Sequence, residues 1–272
     1  MRLDMLLVRR GLAPAREKAK AVIADGQVLV EGRVCTKPGQ EVAEDAELTV
    51  TAPAERYVSR GGYKLEKALD VFGLELAGRI CLDLGASTGG FTDCMLQHGA
   101  ARVYAVDVGS GQLAASLRDD ARVIGWERTD FRLLRPERFA DPPEFATADL
   151  SFISLRLLFP VLAGLLPPDG RAVCLVKPQF EAGRSAVGKR GVVRDPQTHQ
   201  RVLREVADAA VDGGFTVEGL TFSPVRGQNG NIEYLLLLRA GAAKAPSAPA
   251  GTEIAAAVRQ AHEALQQDKK SR

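Results

Sequence analysis

The chain has 272 residues, of which 46% are hydrophobic and 26% charged, and its formal net charge is +2. A chain of this length and apolar content can bury a substantial core and is long enough for two domains. The near-neutral charge gives no global sign of a nucleic-acid partner, so such evidence must be local. The longest apolar run, residues 157–166, is about half as long as a membrane-spanning helix and contains a proline.

Two features predict a cytoplasmic protein without a membrane partner. The four cysteines show no paired C-x-x-C spacing, which indicates free thiols in a reducing compartment. The chain starts directly into an amphipathic pattern, without the apolar core of a signal peptide.

Residues 1–50 predict a small α+β domain. Apolar residues at helical spacing predict a helix over Leu3–Arg10 and a second over Pro14–Ala24, with Ala15, Ala19, Val22 and Ile23 facing inward. Short β-branched runs between glycine turns predict three strands. These strands are Gln27–Val30, Arg33–Cys35 and Glu47–Val50.

The first 40 residues carry eight Arg or Lys residues against four acids. A basic helical face suits phosphate contacts, although a solvated helix face has the same charge pattern. The order R-L-D-x-L-L-V-R-R-G-L, followed by G-x-V-x-V-x-G, resembles the S4 RNA-binding domain. This resemblance implies that four cations face RNA: Arg2, Arg16, Lys18 and Lys37.

The remainder is predicted to form a linker, a larger domain and a tail. Residues 51–57 contain a proline and little periodicity, which is typical of a linker. Strands and helices then alternate over residues 58–239, which predicts an α/β domain with a mostly parallel sheet. Residues 240–272 are predicted to form an Ala/Pro/Gly-rich linker and a tail helix from Thr252 to about Gln267, either docked or frayed.

Residues 80–93 form the most informative stretch, because an apolar strand leads into a glycine-rich turn and then a helix. This arrangement is typical of nucleotide-binding α/β proteins. No Gly-Lys-Ser/Thr follows the turn, which excludes a P-loop, and the acid before Gly85 departs from the dinucleotide fingerprint. Asp107 ends the next strand 22 residues after Gly85, at the distance expected for a carboxylate that binds ribose hydroxyls.

The pattern D-x-G-x-x-x-G-G resembles motif I of class I S-adenosylmethionine-dependent methyltransferases. The resemblance implies a Rossmann-like fold with an antiparallel final strand, S-adenosyl-L-methionine as methyl donor and no required metal. Asp107 would hold the ribose of the donor, and Asp130 would lie near its adenine amino group. The implied donor-binding turn comprises Asp83, Gly85, Ala86, Ser87, Thr88, Gly89 and Gly90.

Charged residues near the strand ends indicate the methyl acceptor. The sequence lacks the N/D-P-P-Y motif of amino-group methyltransferases and a cysteine suited to cytosine-C5 transfer. Four segments instead resemble the FtsJ/RrmJ-like ribose 2′-O-methyltransferases and imply a catalytic set of Lys64, Asp149, Lys177 and Glu233. With the S4-like region in front, the chain up to about Arg239 resembles the TlyA family of rRNA cytidine 2′-O-methyltransferases, often labelled haemolysin A.

The chemistry of ribose methylation assigns expected roles to this set. A ribose hydroxyl must lose its proton as it attacks the methyl group, and a lysine accepts that proton only when its amine is neutral. We expect Lys177 to be the base, Asp149 and Lys64 to position it and the hydroxyl, and Glu233 to complete the hydrogen bonds. Because the sulfonium donor becomes neutral as it reacts, alignment is the main contribution.

The expected partners are ribosomal RNA and ribosomal subunits, bound by a monomer. Two alternatives remain at this stage. The chain could be a ribosome-binding assembly factor without catalysis, or a membrane-active haemolysin, as the family's label suggests.

Overall fold

The computed structural model describes residues 1–13, 15–51, 56–241 and 248–267. The chain forms two compact units, Met1–Arg56 and Tyr57–Arg272. Most of the predicted first linker (residues 52–55) and part of the second (residues 242–247) lie outside the described residues.

The first unit is a helix pair with a three-stranded antiparallel sheet in the order β2-β1-β3. Leu3, Leu7, Ala19 and Ile23 are buried between the helices and the sheet, as their spacing predicted. Ala15 was predicted to face inward, but it precedes the second helix in extended backbone and is exposed. The elements are α1 (Leu3–Arg9), α2 (Arg16–Ala24), β1 (Val28–Val30), β2 (Arg33–Cys35) and β3 (Leu48–Val50).

The second unit alternates strands and helices, as predicted. Its strands are β4 (Ile80–Leu84), β5 (Arg102–Val106), β6 (Val123–Trp126), β7 (Phe145–Ala148), β8 (Arg171–Val176), β9 (Phe215–Phe222) and β10 (Tyr234–Ala240). Its helices are α3 (Gly61–Phe72), α4 (Gly90–Gln97), α5 (Ala115–Arg118), α6 (Phe159–Leu165), α7 (Pro178–Glu181), α8 (Pro196–Asp212) and α9 (Gly251–Gln267). Short 3-10 turns cover Phe131–Leu133, Pro136–Arg138, Leu155–Leu157, Arg184–Ala186 and Gln228–Gly230.

The seven strands form one sheet in the order β6-β5-β4-β7-β8-β10-β9. Pairs from β6 to β8 are parallel, whereas β10 is antiparallel to both of its neighbours. The final strand is therefore antiparallel, as predicted. The carboxyl ends of β4, β5, β7 and β8 consequently lie along one edge, where ligands of open α/β sheets bind.

Helices cover both faces of the sheet, and strand residues alternate between two apolar clusters. Cys81, Val103 and Val173 face the cluster that includes α3 and α4. Leu82 and Cys174 face the cluster of α6, α8 and α9. All four cysteines of the chain are free and buried, as expected for structural thiols.

The tail helix α9 is docked rather than frayed. Its Ile254, Val258 and Ala261 are buried in the cluster that contains α8. Nε2 of His262 lies 3.3 Å from Nδ1 of His199 on α8. Among the helices of the described residues, none combines the length and the apolar character that a bilayer span requires.

The burial of His199 is expected to make the stability of this unit sensitive to acid. The imidazole is fully buried beside the Tyr234 hydroxyl and the Val193 carbonyl. Burial lowers its pKa from 6.5 to about 4, so the unfolded chain binds more protons between these values. The contribution of neutral His199 to the free energy of unfolding is complete above pH 6.5 and is lost as the pH falls toward 4. The free energy of unfolding should fall by about 3 kcal/mol over this range.

Urea unfolding followed by the fluorescence of Trp126, the single tryptophan, measures this effect at each pH. His199→Gln keeps a donor and an acceptor but removes the titration. The stability difference between wild type and this variant should shrink as the pH falls from 6.5 to 4. A pH-independent difference would contradict the prediction.

Candidate active site

The glycine-rich turn between β4 and α4 lies at the carboxyl edge of the sheet and packs directly on the end of β7. Gly85 has a φ of +83°, and a Cβ there would lie 2.7 Å from the carbonyl oxygen of Asp149. A side chain would therefore be strained and would also push on the residue that follows β7. Ser87 also adopts a left-handed conformation, with a φ of +49°, which is a strained position for a non-glycine residue.

This turn lines a cavity of about 320 Å³ together with four other segments: the start of α3, the residues after β7, those after β8 and residues 225–233. Its volume falls within the range of small-ligand sites. The predicted donor-binding residues that line it are Gly85, Ala86, Ser87, Thr88 and Gly90. All four predicted catalytic residues line the same cavity: Lys64, Asp149, Lys177 and Glu233.

The four charged side chains form one connected cluster. Asp149 lies between the two lysines, with Oδ1 2.5 Å from Nζ of Lys177 and Oδ2 3.6 Å from Nζ of Lys64. Nζ of Lys64 also donates to Oε2 of Glu233 at 2.7 Å. Nζ of Lys177 donates to the hydroxyl of Ser151 at 2.9 Å. The structure therefore brings together four residues that are far apart in the sequence.

The cluster is largely withdrawn from solvent. The side chains of Lys64 and Lys177 are about one-tenth exposed, Asp149 is 22% exposed and Glu233 only 2%. Two ammonium groups and two carboxylates compensate each other, which is the condition under which buried charges are tolerated. The two lysines differ, because Lys64 contacts two carboxylates and Lys177 one carboxylate and a hydroxyl.

Glu233 lies immediately before β10. Its carboxylate fills the space beside Gly227, where a Cβ would lie 1.9 Å from Oε1. Glycine at position 227 thus allows the 225–231 loop to close over the acid. Asn231 joins this loop to the segment before α8, since its Oδ1 accepts from the Val193 amide at 3.1 Å.

Lys64 reaches the cavity because α3 begins directly against the glycine-rich turn. A Cβ on Gly90 would lie 2.2 Å from the Ser59 hydroxyl and 3.0 Å from the Gly62 amide. A Cβ on Gly62 would in turn overlap the ring of Tyr57. These small residues let the two helix starts meet, so the first turn of α3 aims Lys64 at Glu233.

Asp107 lines a second, smaller cavity of about 20 Å³, to which Ala86 and Ser87 of the turn also contribute. Its carboxylate accepts from the backbone amides of Ser87 at 2.8 Å and Gly109 at 2.7 Å. These bonds fix the acid at the end of β5, next to the glycine-rich turn. Gln112 and Glu127 also line this cavity, and neither was predicted from the sequence. Glu127 directly follows β6, so its place at a strand end was the available signal.

Three predicted donor-binding residues line neither cavity. Asp83 is fully buried, and its carboxylate accepts from the hydroxyls of Thr92 at 2.7 Å and Thr147 at 2.9 Å. It therefore supports the turn from below, and burial raises its pKa to about 6. The carboxylate of Asp130 contacts Arg132 at 2.5 Å and caps a 3-10 turn, so its adenine contact stays a prediction. Gly89 faces Leu117 instead.

Two aromatic residues beside the cluster were not predicted as functional. Phe152 follows Ser151 with a φ of +64°, and 84% of it is exposed. Its ring lies 5.0 Å from that of Phe180, which lines the larger cavity. A bulky residue held in a strained conformation with its ring in solvent marks a candidate contact surface.

Arg226 links the cavity to the tail helix, and no pattern in the sequence pointed to it. It lines the larger cavity. Its guanidinium donates to the carbonyl oxygens of Gly230 at 2.8 Å and of Leu265 at 2.5 Å. The last turn of α9 is thereby tied to the loop that covers Glu233.

The four cations predicted to face RNA lie in the first unit. Arg2 and Arg16 both contact Asp4, and Lys37 is exposed on the turn after β2. Lys18 is half-buried on α2. Residues 41–50 add four acids and no cation, so residues 1–50 carry eight of each. The basic character is therefore a matter of placement and not of net charge.

Comparison with known proteins follows the same division of the chain. The family model of FtsJ-like methyltransferases matches residues 57–240, and the S4 domain model matches residues 1–48. The chain belongs to the TlyA family of FtsJ-like methyltransferases. The recognition of this family from the sequence is thereby confirmed.

Its relatives resemble it over nearly the whole length. The 16S/23S rRNA (cytidine-2′-O)-methyltransferase TlyA of Mycobacterium tuberculosis is 48% identical, over 91% of this chain and 92% of its own. Hemolysin A of Brachyspira hyodysenteriae is 42% identical, over 86% of this chain and 98% of its own. A solved structure named a putative hemolysin, from Streptococcus thermophilus, has a TM-score of 0.80 and 46% identity, over 99% of this chain and 98% of its own.

Because Gly85 lies against the carbonyl of Asp149, we expect a methyl group added at position 85 to destabilise the fold strongly. Gly85→Ala should lower the free energy of unfolding, both through its positive φ and through the clash with the Asp149 carbonyl. Gly78→Ala is the matched control, because Gly78 has a φ of +74° with no atom within 4 Å. We expect the control to cost about 1 kcal/mol and Gly85→Ala at least about 1 kcal/mol more, measured by urea unfolding. Equal losses would show that the turn does not press on β7.

Proposed function

We propose that the protein methylates the ribose 2′-hydroxyl of cytidine in ribosomal RNA, using S-adenosyl-L-methionine and acting on ribosomal subunits in the cytoplasm. The observation that carries this proposal is the buried cluster of Lys64, Asp149, Lys177 and Glu233, which shares a cavity with the glycine-rich turn. A methyl donor and an acceptor hydroxyl could therefore meet beside two ammonium groups.

The chain's own residues fit S-adenosyl-L-methionine. The Gly85–Gly90 turn offers a cradle that side chains would fill, next to the amino end of α4. Asp107 is held at the end of β5, where a carboxylate can accept from two ribose hydroxyls. When bound, the donor supplies a methyl group on a sulfonium sulfur.

Lys177 is the group best placed to take the hydroxyl proton. Its ammonium is held by Asp149 and Ser151, and once deprotonated its lone pair would accept the proton as the ribose oxygen attacks the methyl carbon. The carbon–sulfur bond breaks in the same step, and its electron pair stays on sulfur. Lys64, fixed by Glu233, places a positive charge beside Asp149, where it stabilises the negative charge that develops on the ribose oxygen.

Three observations support ribosomal RNA as the acceptor. The first unit matches the S4 domain, and the side chains of Arg2 and Arg16 in it are about half-exposed. Relatives covering most of the chain are named as methyltransferases of rRNA cytidine. The exposed ring of Phe152 lies beside the cluster, where an unstacked base could lie against it.

Removal of the proposed base should abolish transfer but not donor binding. Lys177→Ala is expected to lower kcat for methylation of ribosomal subunits by at least about 100-fold. The measurement is incorporation of labelled methyl groups, with the dissociation constant of S-adenosylmethionine determined by calorimetry. Full activity of this variant would refute the assignment.

Lys67→Ala is the matched control, since Lys67 lies one turn after Lys64 on α3 but contacts the ring of Phe222. It should retain activity close to wild type. If wild-type protein bound ribosomal subunits but did not bind S-adenosylmethionine, the non-catalytic assembly factor would replace the proposed enzyme.

Donor binding should depend on Asp107 more than on other acids at the sheet edge. Asp107→Asn removes a charged acceptor of ribose hydroxyl bonds and should weaken S-adenosylmethionine binding by roughly tenfold or more. Asp130→Asn tests the predicted adenine contact in the same calorimetric assay. An unchanged affinity of the Asp107 variant would contradict the proposed orientation of the donor, whereas an unchanged affinity of the Asp130 variant would remove only the adenine contact.

A further inference from the structure

A buried carboxylate in the first unit contacts two of the four cations that were predicted to face RNA. Asp4, on α1, has no exposed surface. Its Oδ1 accepts from Nε of Arg2 at 3.1 Å, and its Oδ2 accepts from Nη2 of Arg2 at 3.0 Å. The same Oδ2 accepts from Nε of Arg16 at 2.9 Å. One acid therefore fixes two guanidinium groups, one from the residue before α1 and one from the first residue of α2.

Both arginines keep free donors on their outer side. Their side chains are 44% and 50% exposed. Within the described residues, Nη1 of Arg2 and both Nη groups of Arg16 have no hydrogen-bond partner in the chain. A guanidinium held from behind with its outer nitrogens free is suited to bind a phosphate oxygen pair.

The turn that carries Lys37 is attached to the same point. The Asp4 amide donates to the carbonyl oxygen of Pro38 at 3.1 Å. Gly39 lies against the guanidinium of Arg2, with its ideal Cβ position 3.1 Å from Nη1. Arg2, Arg16 and the turn that carries Lys37 are therefore all attached to Asp4.

We infer that Asp4 is a positioning residue for RNA binding, which holds Arg2 and Arg16 as a paired clamp for backbone phosphates. This inference rests on the proposed function, because it takes ribosomal RNA as the partner. A free arginine side chain loses much rotamer freedom when it binds phosphate, and Asp4 reduces that loss by fixing both groups beforehand. The two arginines hold the pKa of Asp4 at about 2, so the acid remains charged at neutral pH.

Asp4→Asn is expected to change the affinity for RNA in the direction opposite to that of simple electrostatics. Asp4→Asn removes a negative charge near the RNA, so long-range attraction alone would tighten binding. Positioning predicts the reverse, a loss of about tenfold in affinity, since the clamp loses its fixed geometry. The probe is ribosomal RNA extracted from isolated subunits and end-labelled with a fluorophore, and the full-length chain is used.

Asp45→Asn is the matched control. Asp45 is exposed in the same unit, so this variant makes the same change in charge. Its affinity should be equal to or slightly higher than that of wild type. In methyl transfer, Asp4→Asn should raise KM for the RNA while kcat and S-adenosylmethionine affinity stay unchanged.

A double-mutant cycle separates positioning from damage to the fold. In an Arg2→Ala, Arg16→Ala background, Asp4→Asn should cause no further loss, because the groups it positions are gone. A loss of the same size in that background would overturn the inference, as would an Asp4→Asn variant that binds as tightly as wild type. If Asp4→Asn does not fold, Arg2→Lys carries the test, since it keeps the charge but loses the two-point attachment. Unchanged affinity of Arg2→Lys would then overturn the inference.

These outcomes are distinct from failure of the proposed function. Wild-type protein that binds no ribosomal RNA overturns both proposals. Wild-type binding and methyl transfer, together with an unaffected Asp4→Asn variant, would overturn only the role of Asp4.

Discussion

The mutual compensation of four buried charges is the constraint on which the catalytic unit depends. Lys64, Asp149, Lys177 and Glu233 come from α3, the end of β7, the end of β8 and the residue before β10. If any one element moved, a charge would be left buried without its partner, at a cost of about 3–5 kcal/mol. The four charges therefore keep their partners only if the elements at this edge of the sheet stay packed in their positions. Close contacts at Gly85, Gly90 and Gly227 are the means by which these elements approach one another.

Support for this cluster extends outward in steps. Asp83 lies behind the glycine-rich turn and joins it to α4 and β7 through two threonine hydroxyls. On the other side, Arg226 connects the loop over Glu233 to the last turn of α9. The tail helix is thus part of the catalytic unit rather than an appendage, although its sequence alone indicated only an amphipathic stripe.

Much of the fold could be predicted because its signals are local. The first helix was predicted over Leu3–Arg10 and is observed over Leu3–Arg9, since its apolar residues repeat at helical spacing along the chain. The burial of Lys64 could not be predicted, because it depends on Glu233, which is 169 positions away. The same holds for Asp83, which was predicted to contact the donor. Its position in a strand covered on both faces, opposite Thr147, shows only in the folded sheet.

In each of the two units a carboxylate holds two cations. The cations are arginines in the first unit and lysines in the second, and this difference suits different chemistry. Asp4 holds arginines with free outer donors, whereas Asp149 holds lysines that are about nine-tenths buried. Guanidinium stays charged under all ordinary conditions, which suits permanent contact with phosphate. An ammonium can lose its proton when it is desolvated, which suits a group that must accept one from a hydroxyl. An arginine at position 177 would keep the charge of the site but could not act as the proposed base.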